Sequence, residues 1–434
     1  MNSRGTRAGI CNVCANSARG IVMQTQVDSS ESAATPPVRP IHAFLLLTTC
    51  GLTTLVTAVL GPVLPKMQAH FAEVPRAEYL VPLTLTVPML MMAFLSIIAG
   101  ALSDRYGRKR LLVGSVSCYA VFGLAPLFLD SLKAIVISRV ALGVTEAVLM
   151  TISTTMIGDY YQGARRERMQ SLQTTTAAFL AFLLNLLGGF LGEYGWRTPF
   201  WVYAVAAPMA LLMYLYLWEP KPHGSADNSH LALQDAPGLC FRPWLLAGIC
   251  VLGFVTGVVF LITPVHLGYL FNAIGVTSPG KIGIAYALNS VGVVSGTLLF
   301  GWIIAPRLRV SAQIALAFAL TGLGFVMMNG ATTYASLTLA AVVNGLGAGL
   351  LLPTMVTWNM RVLPCARRGL GTGAYQSAQF LGMFVNPVLV VGLQGQVGSR
   401  ALAVSIVGGA LLAGAVFAII SNISVRSRLG SATT

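Results

Sequence analysis

Charge is scarce in this sequence. Asp, Glu, Lys and Arg together make up 9% of its 434 residues, where a soluble globular chain carries roughly a quarter. With 56% of residues apolar, no water-soluble fold of this length could cover so much hydrocarbon. Cysteine is sparse too. Cys11, Cys14, Cys50, Cys118, Cys240, Cys250 and Cys365 are spread along the chain, several within apolar runs, and no disulfide framework follows. The lone Cys11-x-x-Cys14 lacks the two further ligands that a zinc site needs. Several motifs are absent as well: G-x-x-x-x-G-K-(S/T), which a primary ATP-driven pump would carry, and G-x-S-x-G and H-E-x-x-H, which hydrolytic enzymes use. Residues 1–40 contain no apolar core of the kind a secretory signal requires. They read as a polar, disordered tail, and Met23 within them offers an alternative start that would remove residues 1–22.

What the sequence does have is long uncharged runs. Twelve stand out, at 41–65, 79–102, 111–129, 134–158, 170–192, 198–218, 244–269, 280–304, 310–329, 333–358, 370–394 and 400–423. Each is long enough for a helix to cross a bilayer, about 20 residues. The runs are continuously apolar, whereas barrel strands alternate. Threading them places 20 of the 27 Lys and Arg residues on the side of the amino terminus and 6 on the other, with Arg139 inside a span. Positive charge marks the cytoplasmic side. Both termini are therefore expected in the cytoplasm, with the protein integral to a plasma membrane such as the bacterial inner membrane. The net charge of +14 then reflects topology, and no nucleic-acid partner is needed to explain it.

The chain repeats itself. Ala164-Arg165-Arg166, Phe179-Leu180-Ala181 and Asn185 recur as Ala366-Arg367-Arg368, Phe380-Leu381-Gly382 and Asn386, an offset of about 201 residues. Gly100 and Arg108 map onto Gly301 and Arg309, and Gly143 onto Gly345. Six spans separate the copies, so both halves enter the membrane in the same direction and are related by an axis along its normal. Residues 41–218 and 244–423 are the two six-helix bundles, joined by a cytoplasmic linker at 219–243 and followed by a cytoplasmic tail at 424–434. A seam between two such bundles is where a substrate would bind.

After the second span the chain reads Gly100-Ala-Leu-Ser-Asp104-Arg105-Tyr-Gly107-Arg108-Lys109-Arg110. Gly100 would permit close helix approach, Asp104 could meet a helix amino terminus, and the cations would sit at an anionic leaflet. This stretch resembles the signature G-x-L-x-D-R-x-G-R-(K/R) of the major facilitator superfamily. With twelve spans and the twofold repeat, the resemblance covers about residues 41–423. It implies an all-α integral membrane protein of two pseudo-symmetric six-helix bundles, the major facilitator fold. It also implies a conformational latch of Gly100, Asp104, Arg105, Gly107 and Arg108 with the start of span eleven and with Asp159 at the end of span four. The second-half copy, Gly301 to Arg309, lacks the acid.

Arg139 and Glu146 are the base and the acid inside the spans. A charge held within hydrocarbon is costly and usually faces a wet cavity in which it works. Seven residues place the two groups about two turns, ~10.5 Å, apart on one helix face. At an effective dielectric near 20 the cation favours the carboxylate by only about 1.6 kcal/mol over that distance, and burial can outweigh this. Glu146 is thus expected to hold a proton when dry and release it when wet. A structural ion pair, or a snorkelled Arg139 with Glu146 bound to neighbouring hydroxyls, is the alternative. Arg139-Val-Ala-Leu-Gly143 is similar to the superfamily's R-x-x-x-G pattern in span four, which implies proton coupling. By the repeat, Glu146 corresponds to Ala348, so fold symmetry does not call for an acid there.

Further polar residues lie within spans. Thr49, Thr53 and Thr57 form a stripe on span one, Asn185 and Asn386 are equivalent by the repeat, and Gln376 and Gln379 lie on span eleven. Cavity lining and interhelical hydrogen bonding are both open to them. Gly188-Gly189 keeps only the end of the G-P-x-x-G-G pattern of the superfamily's antiporter branch. His266, beside Pro264, reads as structural.

The residues therefore lead to a secondary transporter, not an enzyme, taking no cofactor and driven by the proton gradient. Its partners are protons, the bilayer and a small-molecule substrate, and it is expected to be a monomer. Few fixed cavity charges favour proton-exchange efflux of a drug or of a secreted metabolite such as a siderophore. The alternative is proton-linked import of a small neutral or weakly acidic metabolite.

Overall fold

A computed structural model describes residues 39–161, 163–220, 243–362 and 368–430. The described residues contain twelve helices long and apolar enough to cross a membrane: Pro40–His70, Ala77–Ser96, Arg108–Leu127, Leu132–Tyr160, Arg168–Glu193 and Thr198–Tyr216, then Leu246–Ala273, Pro279–Arg307, Val310–Gly330, Tyr334–Asn359, Gly371–Val397 and Arg400–Ile420. They are numbered one to twelve in chain order. The end of the bundle that carries the chain entering span one is termed proximal, and the opposite end distal.

Packing follows the sequence repeat. Span one lies on span five as seven lies on eleven; two packs on four as eight does on ten; three packs on six as nine does on twelve. Across the halves, five meets eight and eleven meets two, which are again the same pair of elements exchanged. The buried apolar side chains form two cores. One is centred on residues of spans one to six, including Leu45, Leu85, Tyr119 and Phe200. The other is centred on residues of spans seven to twelve, including Phe271, Phe325, Leu351 and Val404.

Small residues set how closely the helices approach. In the second half, a Cβ at Gly292 would lie 2.6 Å from the carbonyl oxygen of Val342, and one at Gly345 would lie 2.5 Å from that of Asn289. Gly296 and Gly349 face Leu346 and Val293 in the same backbone-to-backbone manner. At these glycines spans eight and ten touch main chain to main chain, and the side chains of Asn289 and Thr297 add hydrogen bonds to the carbonyls of Ala341 and Gly349. In the first half the corresponding contact is made by Gly143, whose Cβ would lie 2.6 Å from the Cα of Pro88. Gly100, expected to mediate close approach, meets nothing nearer than the methyl of Thr151 at 4.0 Å.

Span one is interrupted, and span seven carries an internal proline, Pro264, at the equivalent level. Span one passes through a 3₁₀ turn at Gly61–Val63, where Pro62 and Pro65 withhold backbone donors. In span seven, the hydroxyl of Tyr286 donates to the carbonyl of Pro264 and accepts from the N–H of Gly268, at 3.0 and 3.1 Å. A side chain from span eight is therefore inserted into the helical ladder of span seven.

Candidate functional site

The distal end of the seam is closed. A Cβ on Gly61 would lie 2.9 Å from the carbonyl oxygen of Pro264, so the break in span one faces the proline of span seven across the halves. Gly189 of span five and Gly283 of span eight are in mutual contact, each Cβ position lying 2.8 Å from the other's Cα. Gly188 faces the other way, toward the main chain of Val59 in span one. Glu193, the last residue of span five, reaches the first turn of span eight. It accepts hydrogen bonds from the N–H of Gly280, at 2.8 Å, and from the hydroxyl of Ser278. Deeper in, Asn185 donates to the Ser290 hydroxyl at 3.2 Å, so this pair also joins the halves. A crevice of about 500 Å³ opens near the distal surface, with Gln68, Arg76, Glu78, Tyr269 and Asn272 among its lining residues.

Arg139 and Glu146 stand on span four with no exposed surface. The guanidinium donates from Nη2 to the carbonyls of Phe122 and Gly123, at 2.8 and 3.1 Å. It also lies 5.2 Å from the ring centres of both Phe200 and Tyr203. Gly123 makes this possible, because the Tyr203 ring occupies the space that a side chain there would need. Neither carboxylate oxygen of Glu146 has a hydrogen-bond partner, and Arg139 Nε and Nη1 and the Tyr203 hydroxyl are likewise unpaired. Arg139 therefore sits inside the first bundle, against spans three and six, and Glu146 on the same span is buried with unused acceptors.

At the proximal end, Arg108 pairs with Asp159. Gly107, at φ +89°, turns the chain between spans two and three. The amino terminus of span three is capped by Glu219, which accepts from the N–H groups of Arg108 and Lys109. Its neighbour Trp218 stacks on Tyr160, ring centres 4.4 Å apart and 3° from parallel, and the Tyr160 hydroxyl donates to the Trp218 carbonyl at 2.6 Å. Arg105 points elsewhere, with its guanidinium over Tyr106. The side chain of Asp104 and residues 363–367 before span eleven lie outside the described residues, as do Cys11 and Cys14 in the tail and residues 221–242 of the linker.

The hydroxyls of Thr49, Thr53 and Thr57 donate to carbonyls of their own helix, those of Leu45, Cys50 and Thr54. Thr49 is fully buried, while Thr53 and Thr57 are half-buried. Asn386 donates to the Val258 carbonyl at 2.8 Å, and its side-chain oxygen lies 3.2 Å from His266 Nε2, tying span eleven to span seven. Gln376 is half-buried and Gln379 buried, with Gln379 Nε2 unpaired. Among the described residues no three His, Cys, Asp or Glu side chains converge as metal ligands would.

Three polar residues in these contacts escaped sequence reasoning. Glu193 and Glu219 lie at the edges of apolar runs, where acids pass for solvated ends, and the hydroxyl of Tyr286 is hidden in an apolar helix. No local pattern marks their partners, because those partners, backbone groups and the Ser278 hydroxyl, belong to distant segments.

Residues 46–387 match the Major Facilitator Superfamily, and the chain belongs to that superfamily as an integral membrane protein. Among curated relatives, the 3-(3-hydroxy-phenyl)propionate transporter of Escherichia coli (strain K12) is 29% identical over 265 residues, 58% of this chain and 62% of that protein. The 4-hydroxybenzoate transporter of Pseudomonas putida is 29% identical over 173 residues, 38% of this chain and 37% of that protein. These two alignments thus span less than two thirds of either relative. The gallate transporter of Pseudomonas putida is 24% identical over 356 residues, 70% of this chain and 75% of that protein. Two solved structures share the fold. An inward-facing, occupied bacterial homologue of the human lysosomal transporter Spinster gives a TM-score of 0.66 at 14% identity, covering 89% of this chain and 96% of the other. A D-xylose–proton symporter gives 0.68 at 16% identity, covering 87% and 97%.

Proposed function

We infer that the protein moves a small organic molecule across the membrane by alternating access of its two halves, coupled to a proton carried by Glu146. One observation carries the coupling. Glu146 has no exposed surface and both its carboxylate oxygens lack partners, while Arg139 on the same helix spends Nη2 on the carbonyls of Phe122 and Gly123. A carboxyl so placed is tolerated as the neutral acid, whereas its ionised form needs water or a new partner. A conformational cycle that alternately dries and wets this interior would therefore load and unload a proton.

The substrate class that the relatives support is a small hydroxylated aromatic acid, since the three above are named for such compounds. This favours the weakly acidic metabolite over the drug or siderophore, and proton-linked uptake over exchange. Efflux is the second reading, favoured by the few fixed charges within the spans. The test measures steady-state accumulation of radiolabelled 4-hydroxybenzoate, gallate and 3-(3-hydroxyphenyl)propionate in cells with and without the protein, in acidic medium. Uptake predicts accumulation above control cells, abolished by a protonophore. Accumulation below control cells identifies efflux. Equal accumulation of all three compounds overturns the substrate class.

A further inference from the structure

Glu193 joins two parts of the molecule that must separate in every transport cycle. It belongs to span five of the first half, and its acceptors are filled by the first turn of span eight in the second half, the N–H of Gly280 and the hydroxyl of Ser278. Span eight begins at Pro279, and Ser278, the residue before it, accepts from the Lys281 N–H at its own hydroxyl. The carboxylate of one half thus completes the helix cap of the other. An anion at a helix amino terminus is favoured by the unpaired N–H groups and by the helix dipole, and charge-assisted bonds of this type are the strong ones.

The first half holds the carboxylate in place. Lys66, at the distal end of span one, lies 3.8 Å from Glu193 Oε2 and donates to the carbonyl of Gly192 at 3.0 Å. Around this cluster the halves meet through atoms that cannot yield. A Cβ on Gly192 would lie 2.9 Å from the side chain of Pro279, and one on Gly189 would lie 2.6 Å from the Pro279 carbonyl oxygen. The glycine contact is therefore close but unspecific, and at this end of the seam the Glu193 cap adds directional bonds to that of Asn185 with Ser290 deeper in.

We propose that Glu193 is a clasp between the halves, positioned by Lys66, which sets how much of the protein has its distal end closed. When that end opens, the carboxylate leaves span eight and the Gly280 N–H and Ser278 hydroxyl pass to water. This inference rests on alternating access alone and not on the proton-coupling reading, so its test needs neither a substrate nor a pH gradient.

The full-length protein, with its seven cysteines replaced, is placed in lipid nanodiscs with spin labels at Ala72→Cys and Ala273→Cys. Both positions are exposed at the distal end, one on each half. Pulsed electron–electron distance measurement then reads the closed and open populations. Glu193→Gln should raise the ratio of long to short distances about fivefold, the effect of losing one helix cap. Ser278→Ala, which removes one donor, should move it in the same direction by less. Lys66→Met should also favour the open form, and the double variant Lys66→Met, Glu193→Gln should match Glu193→Gln alone. Unchanged distance distributions in both Glu193→Gln and Ser278→Ala would overturn the clasp. Additive effects in the double variant would overturn the positioning role of Lys66.

Discussion

Arg139 and Glu146 share a helix and, by their spacing, a face, yet the guanidinium bonds the carbonyls of Phe122 and Gly123 and not the carboxylate. The acid is left with no partner. Glu146→Gln keeps the size of the side chain and cannot titrate. In proteoliposomes with an imposed pH gradient, this variant should fail to concentrate substrate, while downhill exchange continues. Concentration by Glu146→Gln would place the proton path elsewhere, or assign the coupling to another ion.

Arg139 should matter for folding as well. Arg139→Ala opens a cavity beneath Phe200 and Tyr203 and strips two buried carbonyls of their donor, which should cost about 3 kcal/mol. A thermal unfolding series in detergent checks this. Wild-type stability in Arg139→Ala would mean that the interior repacks freely around the lost side chain.

The cap on span three can be read amide by amide. Glu219 accepts from the backbone of Arg108 and Lys109, so Glu219→Ala should speed hydrogen exchange at those two amides by about fivefold, corresponding to a cap of ~1 kcal/mol. Protection elsewhere in span three should not change. Equal exchange rates in the variant and the wild type would show that Glu219 does not hold this turn.

Gly189 leaves no room for a larger residue. A Cβ there would press on Pro279 and Gly283, so Gly189→Val should prevent distal closure and abolish transport at normal expression. Retained transport would mean that the seam closes by another route.

Topology supplies a further test. Tags at the amino terminus, near Ser225 and at the carboxyl terminus should all be reached only from the cytoplasm. A linker tag reached from outside would contradict the threading.

Much of the fold was legible because it is written in the membrane's terms. The twelve spans lie within a few residues of the runs that scarcity of charge delimits, since crossing hydrocarbon requires uninterrupted apolar helix whatever the tertiary structure. The repeat foretold which spans are equivalent, because residues such as Asn185 and Asn386 recur at one offset, and the packing pairs follow that equivalence. Spacing also placed Arg139 and Glu146 on one face. It could not say that Arg139 binds carbonyls, because those carbonyls belong to span three and the Tyr203 ring that fills the space at Gly123 comes from span six, elsewhere in the chain. The loop motif pointed to Asp104, whose side chain lies outside the described residues, whereas no pattern marked Glu219, which caps span three from beyond the end of span six. Composition marks where polar groups are scarce, but the choice among partners is made by tertiary contact.

The main-chain contact between spans eight and ten has a consequence for how this protein can change over generations. Gly292, Gly296, Gly345 and Gly349 stand where the first half has Met91, Leu95, Gly143 and Ala147. In the first half, side-chain volume can be traded between neighbours when one of them mutates. In the second half there is little volume to trade, since the nearest neighbour of each glycine is a carbonyl oxygen. In a saturation library scored for expression, substitutions at those four glycines should be purged, while Met91 and Leu95 accept several apolar replacements. Adaptation to a new cargo would then proceed through the first bundle, against a second bundle that heredity has left rigid.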